Sequence, residues 1–269
     1  MSPAAHRSQG PLERTLRERR AEGRKLLVPY LTGGFGEWRV ALEAVAAAGV
    51  DAIEVGLPFS DPVMDGPVIQ EASVRALAGG ATPQAILAGL AGADLGGTPV
   101  AVMTYYNLIA RNGLRRSASE LAAAGVCAAI LPDLPLEELD PWQEAAHEAG
   151  IETVLLAAPT TPEARLARIA ARAEGFLYAV GVMGVTGERA GLAPSASGIA
   201  RRCKELTDLP VLVGVGISTP EQAVEVCQVA DGVVVGSALM RRLLDGEGPD
   251  GAAGLVTAFR EALEAVSSR

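Results

Sequence analysis

A short segment, Ala52-Ile53-Glu54-Val55-Gly56, has the composition of a β-strand that is buried on both faces. Its apolar run is typical of parallel strands that are covered by helices. Side chains alternate in direction along a strand, so Glu54 points into the interior if Ile53 and Val55 face the helices. A buried carboxylate without a partner is costly or shifts its pKa upward. Such a cost indicates a functional residue, although a buried partner for Glu54 is the structural alternative.

Seven other segments resemble this one, and Ala- and Leu-rich helical stretches separate them. The predicted strands are Leu26–Leu31, Ala52–Gly56, Val100–Thr104, Ala128–Leu131, Glu152–Ala157, Phe176–Val180, Val211–Gly214 and Gly232–Val235. Eight strand–helix units are typical of an α/β fold, the (β/α)8 or TIM barrel, which takes about 250 residues. A doubly wound open sheet is the alternative, but no Gly-x-Gly-x-x-Gly motif follows the first strand.

Helix signals set the expected domain boundaries. The charged segment Leu12–Glu22, with Leu12 and Leu16 four residues apart, predicts an extra N-terminal helix. We expect a flexible tail over residues 1–10 and one barrel domain over residues 11–269. Three later helices are predicted to begin with a Thr N-cap and a Pro at the first helical position, at Thr82-Pro83, Thr161-Pro162 and Thr219-Pro220.

Composition and charge argue against several function classes. Hydrophobic residues make up 49% of the 269 residues, which is enough apolar material to offset the entropy of ordering the chain. The net charge of −9 argues against nucleic-acid or anionic-membrane partners, which need a basic surface. No apolar run reaches the roughly 20 residues of a transmembrane helix, and the polar N-terminus lacks a signal-peptide core. We therefore expect a cytoplasmic protein.

Cysteine and histidine are few and scattered. Cys127, Cys203 and Cys227 form no Cys-x-x-Cys motif or Cys/His cluster, so neither a disulfide framework nor a metal site is predicted. The two histidines, His6 and His147, lie near no nucleophile motif. Any catalysis is therefore expected to use carboxylates, tyrosines or backbone groups.

Glycine-rich turns follow the last three predicted strands. They are Gly184-Val185-Thr186-Gly187, Gly214-Val215-Gly216 and Gly236-Ser237, the last of which leads into a helical stretch. Glycines expose backbone N–H groups, and a helix N-terminus adds a positive dipole end. Barrels commonly bind phosphate with the loops after strands seven and eight. The turns therefore predict a phosphate site, although each glycine alone could simply make a tight turn.

The loop after the second strand brings two more carboxylates to the same end of the barrel. Asp61 and Asp65 lie in this Pro- and Gly-rich segment and suit general acid–base chemistry. An Asp-Pro turn and a helix N-terminus are the structural alternatives for them. The further candidates follow or lie in other strands, with helix capping or core packing as the alternative, and they are Asp133, Tyr105, Tyr106 and Tyr178.

The segment from Glu54 to Pro62, continued by Asp65-Gly66-Pro67-Val68-Ile69-Gln70, closely resembles the signature of the tryptophan synthase alpha subunit. The resemblance extends along nearly the whole chain and includes Leu131-Pro132-Asp133-Leu134-Pro135 and Met183-Gly184-Val185-Thr186-Gly187. It implies a retro-aldol cleavage of indole-3-glycerol phosphate to indole and glyceraldehyde 3-phosphate, as a lyase of tryptophan biosynthesis. Such a reaction needs proton transfer and an anion site, and it implies no cofactor in this chain.

The same resemblance assigns roles to individual residues. Glu54 matches the family's general acid/base, and Asp65 matches the carboxylate that stabilises the cationic indolenine intermediate. The other matches are phosphate-binding Gly187, Gly216, Gly236 and Ser237, pocket residues Tyr178 and Tyr105, and the mobile-loop residue Thr186.

The resemblance also implies a partner. Pro58 and Asp61 lie in the loop that contacts the beta subunit in this family, whose alpha2beta2 heterotetramer carries pyridoxal phosphate only in the beta subunit. Three hypotheses follow: an alpha subunit that works with a beta subunit, a stand-alone lyase that releases free indole, and a non-catalytic subunit that only activates its partner. The presence of both Glu54 and Asp65 disfavours the third.

Overall fold

Eight parallel strands pair in chain order, and the eighth pairs with the first, so that the sheet closes into a barrel. The computed structural model describes residues 9–181 and 194–267. The strands are β1 (Leu26–Thr32), β2 (Ile53–Gly56), β3 (Val100–Met103), β4 (Val126–Ile130), β5 (Glu152–Ala157), β6 (Leu177–Val180), β7 (Val211–Gly214) and β8 (Gly232–Val235). The predicted barrel is therefore confirmed.

Helices cover the outside of the barrel and precede its first strand. Those within the described residues are α1 (Pro11–Ala21), α2 (Trp38–Ala47), α3 (Pro67–Ala78), α4 (Pro83–Ala91), α5 (Tyr106–Asn112), α6 (Leu114–Ala123), α7 (Asp140–Ala149), α8 (Glu163–Arg172), α9 (Pro194–Lys204), α10 (Pro220–Val226), α11 (Ser237–Leu244) and α12 (Gly248–Ser267). A 3-10 turn spans Leu136–Glu138. The predicted N-terminal helix is confirmed as α1, and none of these helices is long and apolar enough to cross a bilayer.

Two of the three predicted Thr-Pro helix starts are confirmed. The Thr82 side chain accepts a hydrogen bond from the backbone N–H of Ala85, and Thr219 forms a capping box with Gln222. The prediction for Thr161 is wrong. Its hydroxyl accepts from the backbone N–H of Ala158 at 3.1 Å, and α8 begins only at Glu163. A local side-chain-to-backbone bond within the preceding turn competes with capping of the helix.

Alternate residues of each strand pack into two separate apolar cores. Ile53, Val55 and Val102 belong to the outer core, between the strands and the helices. Ala52 and Ala101 belong to the barrel interior, which Leu12 and Leu16 of α1 join. This alternation confirms that Glu54 lies on the interior face of β2, because Ile53 and Val55 face outward.

Three buried carboxylates bind strand backbone groups at the end of the barrel at which the strands begin. Each accepts a strand's backbone N–H at 2.8 Å, and the pairs are Asp51 with Leu27, Glu174 with Thr153, and Asp231 with Val211. Each also contacts a basic or imidazole side chain, with Asp51 bound by Arg260, Glu174 by His147 and Asp231 by Lys204. These carboxylates are therefore charge-paired structural groups, as expected at this end of a barrel.

Glu152 of β5 attaches α1 to the same end of the barrel. Its carboxylate oxygens accept from the backbone N–H groups of Leu12 at 2.8 Å and Glu13 at 2.9 Å. These donors belong to the first turn of α1, and their bonds oppose the rise of the Glu152 pKa to about 7 that burial causes. Gly10 precedes the helix, and a Cβ atom there would overlap the Glu152 carboxyl. The contact therefore holds Leu12 and Leu16 in the barrel interior.

We expect Glu152→Ala to lower the free energy of unfolding by about 2–4 kcal/mol, because it leaves two helix N–H groups without an acceptor. Urea denaturation at pH 8 measures the loss, and faster hydrogen exchange over residues 12–16 localises it to α1. The matched control is Glu22→Ala, which removes an exposed ion pair with Arg19 at 3.4 Å and should change stability by less than about 0.5 kcal/mol. Equal effects of the two substitutions would contradict this account.

Candidate active site

One cavity opens where the strands end, and most of the predicted site residues line it. Its empty volume is about 810 Å³, which includes space open to solvent. The walls combine apolar side chains with a few polar groups, as in small-molecule sites. The predicted residues among the lining are Glu54, Asp65, Tyr178, Gly216, Gly236 and Ser237. Thr186 and Gly187 lie outside the described residues.

Glu54 occupies the interior of the barrel between two neighbouring strands. The strand register pairs it with Tyr30 of β1 and with Ala101 of β3. The residue is only 1% exposed, and its Oε2 atom has no hydrogen-bond partner among the described residues. Burial, and secondarily the charge of Asp65, raise the pKa of the Glu54 carboxyl to about 8. Glu54 is therefore a protonated acid at neutral pH, which the desolvation of its charged form explains.

Asp65 enters the cavity from the loop between β2 and α3. Its Oδ2 atom accepts a hydrogen bond from the Tyr105 hydroxyl at 3.2 Å, and that hydroxyl accepts from the backbone N–H of Met64 at 2.9 Å. Burial raises the pKa of Asp65 to about 6, while the Tyr105 bond opposes the rise. The N-cap residue of α3 is Gly66 and not Asp65.

Two of the candidate residues, Tyr105 and Asp133, do not line the cavity. Tyr105 does not line the cavity; it positions Asp65, and its ring stacks on Phe59 with 5.0 Å between centroids. Asp133 is exposed, and its Oδ1 accepts from the backbone N–H of Tyr106 at 2.8 Å. That bond satisfies an N–H in the first turn of α5, so helix capping explains Asp133.

The loop with Pro58 and Asp61 runs from the cavity to the surface. Pro58 is buried beside the end of β2, whereas Asp61 is exposed and accepts from the Ser60 hydroxyl at 2.6 Å. Val63 and Met64 follow with 73% and 47% of their surfaces exposed. The loop thus presents apolar side chains to solvent next to Asp65.

The turns after β7 and β8 meet at one side of the cavity. Ser237 is the first residue of α11, so the backbone N–H groups of that first turn lack partners within the helix. Gly216 has φ 93°, a conformation that favours glycine, and Val215 before it has φ 67°. Val215 is the one non-glycine residue with positive φ in the described part of the chain. A β-branched residue is strained there, and such strain is common at functional sites.

Tyr30 is a cavity residue that sequence reasoning missed. Its ring lies over Gly56, and the Tyr178 ring lies over Gly214, so that a Cβ atom at either glycine would overlap a tyrosine hydroxyl. The pKa of each phenol is raised far above its usual range, chiefly by burial. The signal that could have revealed Tyr30 is the β1–β2 register, which places it beside Glu54.

A buried acid whose Oε2 atom has no partner among the described residues, together with amide-rich turns in the same cavity, is typical of (β/α)8-barrel enzymes that perform acid–base chemistry on anionic small molecules. Comparison with known proteins makes the assignment specific. The family model for the tryptophan synthase alpha chain matches residues 16–266. The chain therefore belongs to the tryptophan synthase alpha chain family, which confirms the resemblance and the predicted class, a lyase of tryptophan biosynthesis.

Individual relatives agree with this family. The tryptophan synthase alpha chain of Streptomyces coelicolor is 48% identical over 248 residues, which cover 91% of each chain. That of Thermobifida fusca is 44% identical and covers 94% of this chain and 96% of its own. Among solved structures, Mycobacterium tuberculosis tryptophan synthase superposes with a TM-score of 0.89 at 37% identity, covering 95% of this chain and 99% of the other. The alpha subunit of Legionella pneumophila gives 0.86 at 33%, covering 96% and 100%.

We expect Glu54→Gln to stabilise the protein increasingly as the pH rises. The folded wild type keeps the Glu54 proton up to a pKa of about 8, whereas the unfolded chain releases it near 4.5. Unfolding free energy therefore falls with rising pH between these values, by at most about 5 kcal/mol. Glutamine does not titrate, so the advantage of the variant should be larger at pH 8.5 than at pH 5 in urea denaturation. A difference that is constant with pH would show that Glu54 ionises normally.

Proposed function

We propose that this chain cleaves indole-3-glycerol phosphate to indole and glyceraldehyde 3-phosphate, with Glu54 as the general acid and base. The observation that carries the proposal is the burial of the Glu54 carboxyl in the cavity that also holds the turns after β7 and β8, with no hydrogen-bond partner for Oε2 in the described part of the chain. Protonation of a ring carbon requires an acid, and a carboxyl that is still protonated at neutral pH can supply the proton.

The two carboxyls differ in protonation, and that difference assigns their roles. With a pKa of about 8, Glu54 donates its proton to C3 of the indole ring. With a pKa of about 6, Asp65 is ionised at neutral pH and stabilises the positive charge that develops at the indole nitrogen. Environments that separate the pKa values of two acids are the usual sign of such a division.

The second half of the reaction returns the proton to Glu54. The Glu54 carboxylate removes the proton from the hydroxyl on the carbon attached to indole C3. The O–H electron pair becomes the carbonyl bond, and the carbon–carbon electron pair restores the aromatic indole. Glyceraldehyde 3-phosphate leaves as the aldehyde, and neither oxidant nor cofactor is consumed.

The phosphate group is proposed to bind the turns after β7 and β8. Gly216, Gly236 and Ser237 line that side of the cavity, and α11 directs its N-terminus there. Helix N-termini bind phosphate through free N–H groups and the helix dipole. The proposed contributions of Gly187 and Thr186 rest on the family resemblance alone, and Tyr178 contributes its ring to the apolar wall.

A beta-subunit partner follows from the family and fits the surface near Asp65. Pro58 and Asp61 belong to the loop that exposes Val63 and Met64, and exposed apolar side chains suit a protein interface. Because Asp65 ends the same loop, a bound partner would act directly on a catalytic carboxyl. We propose an alpha2beta2 assembly in the cytoplasm, with pyridoxal phosphate held by the partner only.

We expect the purified chain to release indole slowly from indole-3-glycerol phosphate and much faster when a beta subunit is added. Glu54→Gln should reduce this release by a factor of at least about 100 with or without the partner. The measurement is indole formation at pH 7.5. High turnover that the partner leaves unchanged would favour a stand-alone lyase. Stimulation of the beta reaction without any cleavage would favour a non-catalytic subunit.

We expect Ser237→Asp to raise the KM for indole-3-glycerol phosphate by about tenfold or more, with a smaller effect on kcat. Aspartate is well tolerated in the first turn of a helix, so the fold should keep its stability, while its charge repels the phosphate. Ser237→Ala, which adds no charge, is the matched control and should change KM much less. Wild-type KM in the aspartate variant would place the phosphate elsewhere.

A further inference from the structure

Tyr30 brings a hydroxyl into the cavity that the proposed reaction does not yet use. The residue is 8% exposed and is paired with Glu54 across the β1–β2 ladder. Gly56, over which its hydroxyl lies, is two residues beyond Glu54 on the same strand face. The hydroxyl therefore lies nearer the mouth than the base of the Glu54 side chain, on the wall of the cavity.

The hydrogen bond of this hydroxyl leaves its proton available. Its partner among the described residues is the Thr32 hydroxyl, with 3.4 Å between the oxygens and either one able to donate. That distance is long for an O–H···O bond. When Thr32 donates, the Tyr30 proton is free to face the cavity, where Glu54 Oε2 is a buried acceptor to which no described residue donates.

The charges around Tyr30 keep it a donor. Among the described residues, the titratable groups that line the cavity beside Tyr30 are Glu54, Asp65 and Tyr178, and Tyr105 acts on Tyr30 from outside the cavity lining. Burial and the negative charges of Asp65 and Glu54 hold the pKa of Tyr30 far above its usual range. A neutral phenol among carboxyls stabilises whichever of them is ionised, provided that it donates a hydrogen bond.

We propose that Tyr30 is a positioning residue whose hydroxyl donates a hydrogen bond to the Glu54 carboxylate, after a rotation of the Glu54 side chain, once Glu54 has released its proton. This inference rests on the proposed function, because it requires Glu54 to cycle between acid and base. The bond lowers the cost of the ionised state and directs the carboxylate toward the substrate hydroxyl that it deprotonates. The acid form, which prevails in the free protein at neutral pH, does not need it.

The first test measures the pKa of Glu54 in the folded protein and needs no substrate. Unfolding free energies from pH 5 to 9 are compared for the wild type and Glu54→Gln, and for Tyr30→Phe and the double variant. Each pair isolates the titration of Glu54. We expect Tyr30→Phe to raise the pKa of Glu54 by about 0.5–1 unit, because the carboxylate loses a donor. An unchanged or lowered value would overturn the proposal.

The second test is kinetic and uses the chain together with a beta subunit. Tyr30→Phe keeps the ring and should lower kcat by about tenfold while KM changes less than about twofold. Tyr106→Phe removes a hydroxyl from a partly buried tyrosine of α5 outside the cavity and should behave as the wild type. Wild-type kcat in Tyr30→Phe, with Glu54→Gln inactive, would overturn this inference alone. Full cleavage by Glu54→Gln would overturn the proposed function itself.

Discussion

The burial of the Glu54 carboxyl is the constraint on which the site depends. Ile53 and Val55 must face the outer core, so the alternation of β2 turns Glu54 into the barrel. A shift of one residue would exchange the two faces and bury the wrong side chains. The packing of the outer core therefore keeps the Glu54 side chain buried in the barrel interior, although burial of a carboxyl is unfavourable by itself. The raised pKa of Glu54 follows from that position.

Buried carboxyl groups at the two ends of the barrel differ in their hydrogen-bond partners. At the end where the strands begin, Asp51, Glu174 and Asp231 each accept a backbone N–H and contact a basic or imidazole side chain. At the other end, Glu54 Oε2 has no such partner among the described residues. The first group connects strands and helices through these bonds and ion pairs. Glu54 weakens the fold at high pH, and the missing compensation makes it chemically useful.

The sequence predicted those features that depend on local pattern. Strand positions, α1 and the inward direction of Glu54 follow from apolar runs and from a period of two, which neighbouring residues determine. Features that depend on register or on distant loops were missed or left open. The pairing of Tyr30 with Glu54 in the β1–β2 register is what places Tyr30 in the cavity. Asp133, which follows β4, caps α5, which follows β3. Thr161 was predicted wrongly because its hydroxyl can either cap α8 or accept from the backbone N–H of Ala158, and it does the latter.

Two tyrosines of the cavity wall, Tyr30 and Tyr178, lie against glycines at the ends of two strands. Gly56 ends β2 and Gly214 ends β7, and each leaves room for a tyrosine ring above it. A side chain at either glycine would overlap the Tyr30 or Tyr178 hydroxyl, so the ring would have to move. Both rings line the cavity that holds Glu54 and contribute to the burial that raises its pKa. The acidity of Glu54 therefore depends in part on two positions, Gly56 and Gly214, that carry no side chain.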